Sequence, residues 1–488
     1  MISLQAPLNM TTQHLPTPSH GTASDDVLGY LLIFLSSVLV GIWAVKGTIA
    51  LRNILLGVET VIAIIYCTRF FKTNTQKIPL KYWTPLILLG LMFCWVIFHY
   101  LFLSRFPEQQ FHELISTWLR SGLAVIVAVG TGLAIAKRPN TINCLWIGIL
   151  GSFGYLFYQY IPNALALKSL FVPLLDSISY IFYGKISAVL AGTILVAGLL
   201  GGVIDVTSRY NGRSSDEPKG ATSFWKILMI ATLWLIGTVI ILYAYVFIFD
   251  TRNGIGLGVL IYGLGLLILS WRLFRALFLK GGIKKAFGFL LLIACSVGIL
   301  GWFGMEQVKR NPGWSTMIED SKTSVQIEKY PNWQNPQVKG YPQNAKGEEV
   351  KGNTYERLAW ASAGVQIFLP ENPLGIGVLK NPFATLLMQK YPNAGAYIPS
   401  SHSAWVEIAL AFGYPGIFLL LASLLSITFL SLRSNSPFWA TAGLLSLGLV
   451  MLYTVGEISS QHSVEILCFW VALMMALQWP RKLEIHTV

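Results

Sequence analysis

The sequence predicts an all-α fold: a polytopic integral membrane bundle of about twelve transmembrane helices, with one long polar loop between the ninth and the tenth. Composition supports this class first, because the 488 residues are 54% hydrophobic and only 12% charged, with a mean hydropathy of +0.60. Apolar stretches of about 20 residues, the length that crosses a bilayer, also recur along the chain. We place them at 27–46, 50–70, 83–104, 114–136, 143–161, 184–206, 224–249, 255–278, 284–303, 405–432, 438–455 and 462–479.

The ends of the chain are polar. The first 24 residues are rich in Pro, Ser and Thr and lack the basic region that precedes the apolar core of a cleaved signal peptide, so the first span is expected to remain. The predicted organisation is a polar tail (1–24), nine spans (25–303), a long loop (304–402), three further spans (403–480) and a short tail (481–488).

Basic residues predict the orientation of the bundle. They concentrate in alternate connections between the spans, at Arg69, Lys72, Lys77, Lys81, Lys137, Arg138, Arg209, Arg213, Lys219, Arg272, Arg275, Lys280, Lys284, Lys285, Arg433, Arg481 and Lys482. The opposite short connections hold little beyond Lys46, Arg52, Arg105, Lys168 and Arg252. Both tails are therefore expected in the cytoplasm and the loop in the periplasm. Much of the net charge of +13 is this topology signal, with acidic membrane lipids as its partner and no role for nucleic acid.

The five cysteines all fall inside predicted spans, without a CxxC pair or a metal-ligand spacing of His and Cys. We interpret them as small packing residues. The sequence therefore predicts neither a metal site nor a cofactor.

The long loop has two parts. Residues 305–353 are hydrophilic and carry no recognisable chemistry. Residues 354–369 return to helical periodicity, which predicts an amphipathic helix lying along the outer membrane surface. The side chains expected near one face of that helix are Leu358, Ala361, Val365 and Phe368.

Two arginines on the outer side are candidate anion ligands. Arg252 lies in FDTRNGIGLG, where small residues permit close approach of a ligand, although Asp250 is an alternative partner and a snorkelling interfacial anchor is the simpler interpretation. Arg357 opens the amphipathic helix and precedes Trp360. A guanidinium group binds two oxygens of a pyrophosphate at once, which favours arginine for such a site.

A tight turn and a histidine follow these arginines. The sequence Pro-Leu-Gly-Ile-Gly, with Gly375 and Gly377, predicts a close-approach turn that returns the chain toward the membrane. His402 follows two serines that are candidate N-caps, so it is expected in the first turn of the tenth span, where the helix dipole lowers its pKa. The alternative is a structural interfacial histidine. That span is expected to break at Gly-Tyr-Pro-Gly.

Other ionisable residues lie near the outer ends of spans. Glu407 follows His402 inside the same apolar stretch, where a carboxylate is costly unless it is paired or lines a wet cavity. Arg120 lies about two turns into the fourth span, with Glu407 or Glu457 as possible partners. Either residue is a candidate substrate ligand. The remaining candidates, each equally open to interpretation as an ordinary interfacial residue, are His99, Glu457 and His462.

Three segments together resemble the O-antigen ligase and polymerase family of bacterial envelope enzymes. TRNGIGL resembles the family's arginine–glycine element, RLAWASAGVQIFLPENPLGIG its arginine–tryptophan element followed by P-L-x-G-x-G, and HSAWVEIALAFGYPG its histidine element ending in spaced glycines. Asn253, Thr251 and Ser403 depart from the usual residues by small polar exchanges. The motifs cover only about residues 250–433, and the N-terminal half carries none.

For the ligase branch, the resemblance implies a GT-C-like glycosyltransferase of the bacterial inner membrane. It would join a polysaccharide on undecaprenyl pyrophosphate to a sugar hydroxyl of lipid A–core, with inversion and without metal. Arg252 and Arg357 would hold the pyrophosphate and stabilise the leaving group, and His402 would act as general base. The catalytic set is thus His402, Arg252 and Arg357. The substrate-binding set adds Arg120, Glu407, Gly375 and Gly377.

Several alternatives stay open. The closest is a polymerase of the same superfamily, which extends one lipid-linked glycan with another. A protein O-oligosaccharyltransferase ranks third, because that branch usually adds a soluble domain where only about nine residues follow Trp479. A secondary transporter should carry ionisable residues deep in the bundle, whereas here they lie near the outer face. A non-catalytic scaffold would tolerate alanine at His402 and at both arginines.

Overall fold

The computed structural model describes residues 23–73, 78–172, 181–182, 184–212, 224–280, 283–310, 313–434, 436–456 and 461–479. These residues form helices and connections, and the only β-type pairing among them is two isolated bridges. The helices are α1 (Ala23–Ile42), α2 (Ile49–Thr73), α3 (Thr84–Phe102), α4 (Pro107–Glu113), α5 (Arg120–Lys137), α6 (Asn143–Leu167), α7 (Lys185–Gly212), α8 (Phe224–Tyr243), α9 (Arg252–Lys280), α10 (Ile283–Arg310), α11 (Gly313–Ser324), α12 (Pro336–Lys339), α13 (Gly352–Ala363), α14 (Leu369–Glu371), α15 (Pro382–Lys390), α16 (Ala404–Leu432), α17 (Trp439–Val455) and α18 (Gln461–Gln478).

The all-α membrane class is confirmed. Within the described ranges, nine helical stretches are long and apolar enough to cross a membrane, and residues 439–455 and 462–478 form two shorter apolar helices. Each of the twelve predicted spans overlaps a helix. Several boundaries differ by a few residues, and the largest extension is that of α10, which continues through Arg310 instead of ending near residue 303. Its last turn carries Glu306, which pairs with Arg310 four residues later and extends the helix beyond its apolar part.

Among the residues that the structure describes, three π-helical turns interrupt the regular helices: Leu114–Leu119 between α4 and α5, Ala244–Ile248 after α8, and Gly364–Phe368 after α13. A π-turn inserts an extra residue, rotates the following side chains and occurs frequently at functional sites. The first of these turns is followed directly by Arg120, and the second ends four residues before Arg252. The third extends the helix that carries Arg357.

The membrane helices pack in pairs distant in sequence: α18 along α5, α17 along α7, and α16 between α17 and α3. A buried carboxylate joins two of them. Asp205 on α7 is 2% exposed, and it accepts hydrogen bonds from the backbone N–H groups of Ala440 (2.9 Å) and Thr441 (3.0 Å) at the start of α17. Because no water satisfies those N–H groups within a bilayer, a partner from a neighbouring helix stabilises the helix end.

The loop between α10 and α16 forms a compact unit with its own hydrophobic core. Its central members come from separate segments: Trp333, Tyr355, Trp360, Phe368, Phe383 and Leu387. The helix predicted at 354–369 is present, and Phe368 of the predicted apolar face is buried, but other positions of that face differ. Val365 is 50% exposed, whereas Tyr355, Ala359 and Ala363 are buried. The helix packs into the core of the loop, and the π-turn rotates the positions that follow it.

Candidate active site

Arg252 opens α9 at the outer end of the bundle. It follows Asp250, whose backbone has a positive φ of 44°, and Thr251, whose N–H donates to the carbonyl of Tyr245 (3.1 Å). The next side chain, Asn253, donates from Nδ2 to the carbonyl of Val455 (3.0 Å), which ties the start of α9 to the end of α17. Arg252 is thus held at a junction of two helices.

Arg357 lies on α13, a helix of the loop unit, and its side chain is half-buried. Its Nη1 atom is buried without a hydrogen-bond partner. Burial lowers the pKa of this guanidinium, and the positive charge of Arg252 lowers it further. None of the ion pairs among the described residues involves either arginine. The two cations therefore lie close enough to repel each other, which is the electrostatic arrangement of an anion-binding site.

His402 faces the same place but does not lie in a helix. The N-cap of α16 is Ser403, so His402 precedes the helix and adopts a left-handed backbone with φ of 60°. The predicted position in the first helical turn is wrong. A non-glycine residue in this conformation costs about 1–2 kcal/mol, and such strain is common in active sites.

The imidazole of His402 is stacked on the indole of Trp360, with ring centroids 5.1 Å apart and an interplanar angle of 17°. Burial lowers the pKa of His402 from 6.5 to about 3, and the positive charge of Arg357 contributes to the decrease. The direction agrees with the sequence-based expectation, but the cause is burial and a neighbouring cation instead of the helix dipole. The imidazole is neutral near pH 7, as a general base must be.

Glu407 lies one turn into α16 and is 1% exposed. Its Oε1 accepts a hydrogen bond from the backbone N–H of Ser401 (2.6 Å), and its Oε2 accepts one from the N–H of Phe383 (3.3 Å). Both oxygens therefore bind backbone of the loop unit. Direct contact of Glu407 with a substrate, expected from the sequence, stays a prediction.

The Pro-Leu-Gly-Ile-Gly turn docks where α16 breaks. The break lies at Gly413, with φ of 67°, inside the predicted Gly-Tyr-Pro-Gly element. Here the N–H groups of Ile376 and Gly377 donate to the carbonyls of Leu410 (3.0 Å) and Ala411 (2.8 Å). The indole of Trp95 donates to the carbonyl of Phe412 (2.9 Å). The carbonyls released by the break thus find partners, as the bilayer requires.

Glycine is required at both turn positions. Gly375 and Gly377 have φ of 87° and 94°, and a Cβ on Gly375 would lie 2.3 Å from the carbonyl oxygen of Ala411. A Cβ on Gly377 would lie 2.3 Å from Oε1 of Gln110. These glycines therefore pack the turn against α4 and α16. Substrate binding by them stays a prediction.

Arg120 belongs to a different cluster. Its Nε lies 2.7 Å from Oε1 of Glu465 on α18. The predicted pairing of Arg120 with Glu407 is therefore wrong. The alternative partner, Glu457, lies outside the described residues. Glu465 also accepts from the indole of Trp43 (3.2 Å). The helix contacts of α5 with α18 determine this pairing, which no local pattern predicts.

The remaining candidates are also placed apart from the arginines. His99 is buried beside Gln110 and against Phe412, near the break in α16. His462 lies in the first turn of α18, the helix that carries Glu465. Residues missed from the sequence include Glu113, whose carboxylate accepts the N–H groups of Leu379 (2.7 Å) and Lys380 (2.9 Å). The signal that could have identified Glu113 in the sequence is an acidic residue at the edge of an apolar segment.

A comparison with family models adds a decisive observation. Residues 236–421 match the model described as O-antigen ligase. This segment of the chain is similar to the O-antigen ligase family. This confirms the resemblance drawn from the three motifs. A comparison with curated proteins gives no match.

The matched segment contains six of the seven residues predicted to be catalytic or substrate-binding. Its range includes Arg252, Arg357, Gly375, Gly377, His402 and Glu407, whereas Arg120 lies outside. Two departures from the usual motif acquire structural roles, because Asn253 binds Val455 and Ser403 is the N-cap of α16. Within the described ranges, no group of three His, Cys, Asp or Glu side chains is arranged to hold a metal ion. Metal-independent chemistry stays a prediction.

Proposed function

We propose that this protein is an O-antigen ligase, a glycosyltransferase that moves polysaccharide from undecaprenyl pyrophosphate to a sugar hydroxyl of lipid A–core. The reaction would be inverting and independent of metal, on the periplasmic face of the bacterial inner membrane. The observation that carries the proposal is the convergence of Arg252, Arg357 and His402. These residues come from three separate parts of the segment that matches the O-antigen ligase model.

The two arginines suit the pyrophosphate. Their like charges repel, and Arg357 keeps a buried Nη1 without a protein partner. A bound pyrophosphate would neutralise the repulsion and accept hydrogen bonds from both guanidinium groups. As the glycosidic bond to the phosphate breaks, negative charge grows on the leaving group. Preorganised cations at that position stabilise the transition state more than the ground state.

His402 suits the role of general base. The acceptor hydroxyl attacks the anomeric carbon, the bond from that carbon to the phosphate oxygen breaks, and the hydroxyl proton moves to the imidazole. The configuration at the anomeric carbon inverts because attack and departure occur on opposite faces. The negative charge of a bound pyrophosphate would raise the pKa of His402 from its value of about 3 and make it a stronger base once the donor is present.

The distribution of basic residues supports the periplasmic location. Arg252 and the loop unit lie on the side of the predicted spans with few Lys and Arg residues, which is the translocated side. Phosphates of a lipid-linked donor lie at the membrane interface, and Arg252 lies at the first residue of the membrane helix α9. The lipid chain would then enter between spans while the glycans extend from the loop unit.

Lipopolysaccharide profiling of a deletion strain tests the proposal. The strain is complemented with wild type or His402→Ala, and membrane expression of both is matched. If the protein is a ligase, wild type is expected to restore the full lipopolysaccharide ladder and His402→Ala is not. Undecaprenyl-linked polymer is expected to accumulate in the deletion strain. A single repeat unit surviving on the core would indicate a polymerase instead. An unchanged profile would contradict both and favour the transporter.

A further inference from the structure

Glu407 is a buried carboxylate with an unusual set of partners. Burying a carboxylate is unfavourable unless hydrogen bonds compensate for the lost hydration. Glu407 is 1% exposed, and its compensation comes from the N–H groups of Ser401 and Phe383. The side chain therefore acts on backbone that precedes its own helix and on the start of α15.

These contacts hold the backbone on both sides of His402. On the N-terminal side, Oε1 of Glu407 accepts the N–H of Ser401 at 2.6 Å. On the C-terminal side, the backbone N–H of Glu407 donates to the carbonyl of Ser403 at 3.0 Å. Ser403 makes no side-chain capping bond of its own. The left-handed residue is thus enclosed by two bonds to the same glutamate, supported by weaker serine contacts within the turn.

We propose that Glu407 is a positioning residue for His402. Its carboxylate holds the left-handed turn that stacks the imidazole on Trp360 and directs it to the side of Arg357. Glu407 does not touch the substrate in this assignment, because both oxygens are occupied by backbone. The inference rests on the proposed function, in which His402 is the general base.

The chain offers a matched control in Glu113. This glutamate is also buried, and it also accepts two backbone N–H groups of the loop unit, from Leu379 and Lys380. Its bonds go to residues that directly follow the Gly375–Gly377 turn, and neither involves Ser401 or Phe383, the partners of Glu407. Glu113→Gln therefore reports the effect of loosening the loop without releasing the histidine.

Steady-state kinetics of the purified full-length protein test the assignment, with an undecaprenyl pyrophosphate-linked glycan as donor and lipid A–core as acceptor. Glu407→Ala is expected to lower kcat by about 100-fold, the scale of a misplacement of about 1 Å, with little change in the KM for the donor. Glu407→Gln keeps one acceptor oxygen and should recover part of kcat. The apparent pKa values of the kcat profile should not move. A wild-type kcat for Glu407→Ala would overturn the proposal, as would loss of one limb of the profile, which would make Glu407 itself the titrating base.

A double-mutant cycle separates positioning from general destabilisation. If Glu407 acts through His402, adding Glu407→Ala to His402→Ala should cost no further activity. Adding Glu113→Gln to His402→Ala should lower activity by the same factor that it does in the wild type. Fully multiplicative losses in the Glu407 cycle would contradict the assignment. If His402→Ala alone is fully active, the proposed general base is wrong. The single variant His402→Ala therefore distinguishes failure of the proposed function from failure of the Glu407 inference.

Discussion

Two arginine clusters in the molecule differ in how their charge is balanced. Arg120 is paired with a buried carboxylate, Glu465, at 2.7 Å. Arg252 and Arg357 instead lie near each other, and neither forms an ion pair with any described residue. A buried ion pair satisfies itself and needs no ligand, whereas two adjacent cations are stabilised by an anion from outside. We therefore propose a structural role for the first cluster and anion binding for the second.

The largest expected effect tests the second cluster at its histidine. We expect His402→Ala to lower the rate of glycan transfer by about 10²–10⁴-fold with normal membrane expression, because that is the usual contribution of a general base. The measurement is the initial rate with the purified components. Activity close to wild type would remove His402 from the mechanism and weaken the contrast between the clusters.

The arginines provide the next test. We expect Arg357→Lys and Arg252→Lys each to reduce kcat/KM by about tenfold or more, because a lysine keeps the charge and loses the two-oxygen fork. Binding of the donor and turnover are measured separately. Full activity of Arg252→Lys would instead indicate the interfacial anchor that the sequence left open.

The pH dependence tests the electrostatic coupling. Because burial and Arg357 hold the pKa of His402 at about 3 instead of 6.5, the kcat/KM of the free enzyme should show no acid limb near pH 6.5. Replacing Arg357 by Gln removes a charge that opposes the imidazolium, so the acid limb should move to higher pH. The lowered pKa of His402 also affects stability. The unfolded chain binds a proton at His402 more readily than the folded protein does, so the free energy of unfolding decreases as the pH drops below 6.5. An unmoved limb in Arg357→Gln would contradict the coupling.

The smallest expected effect on turnover comes from the first cluster. Glu465→Gln leaves Arg120 without its ionised partner, so we expect a loss of stability of about 3 kcal/mol and a smaller change in kcat. Thermal unfolding in detergent and initial rates at low temperature check the two parts. A large loss of kcat with unchanged stability would place Arg120 with the substrate, as the sequence suggested.

The sequence predicted much of the fold because the signals are local. A bilayer imposes a length and a composition on each span, so the twelve segments coincide with helices without any knowledge of their neighbours. It failed for part of the apolar face predicted over 354–369, where Val365 in the π-turn after α13 is half-exposed and Tyr355 is buried. A π-turn and a separate loop core determine that face, and neither leaves a periodic signal in the sequence.

The candidate site divides in the same way. Motif order along the chain was enough to select Arg252, Arg357 and His402, because residue type and side of the membrane limit the chemistry. Which cation is paired was not predictable, because Arg120 and Glu465 are 345 residues apart. The role of Glu407 also needed the structure, since its partners Ser401 and Phe383 come from segments outside its own helix.

The sequence by itself determined the helical membrane class, the positions of the spans and the residue types available for an anion site. These follow from composition and from short-range pattern, which act on each segment independently. Only the tertiary structure decided the left-handed conformation of His402, its stacking on Trp360, the proximity of the two arginines and the partner of each buried carboxylate. Those features depend on contacts between distant segments, and such contacts exist only once the helices and the loop unit have packed together.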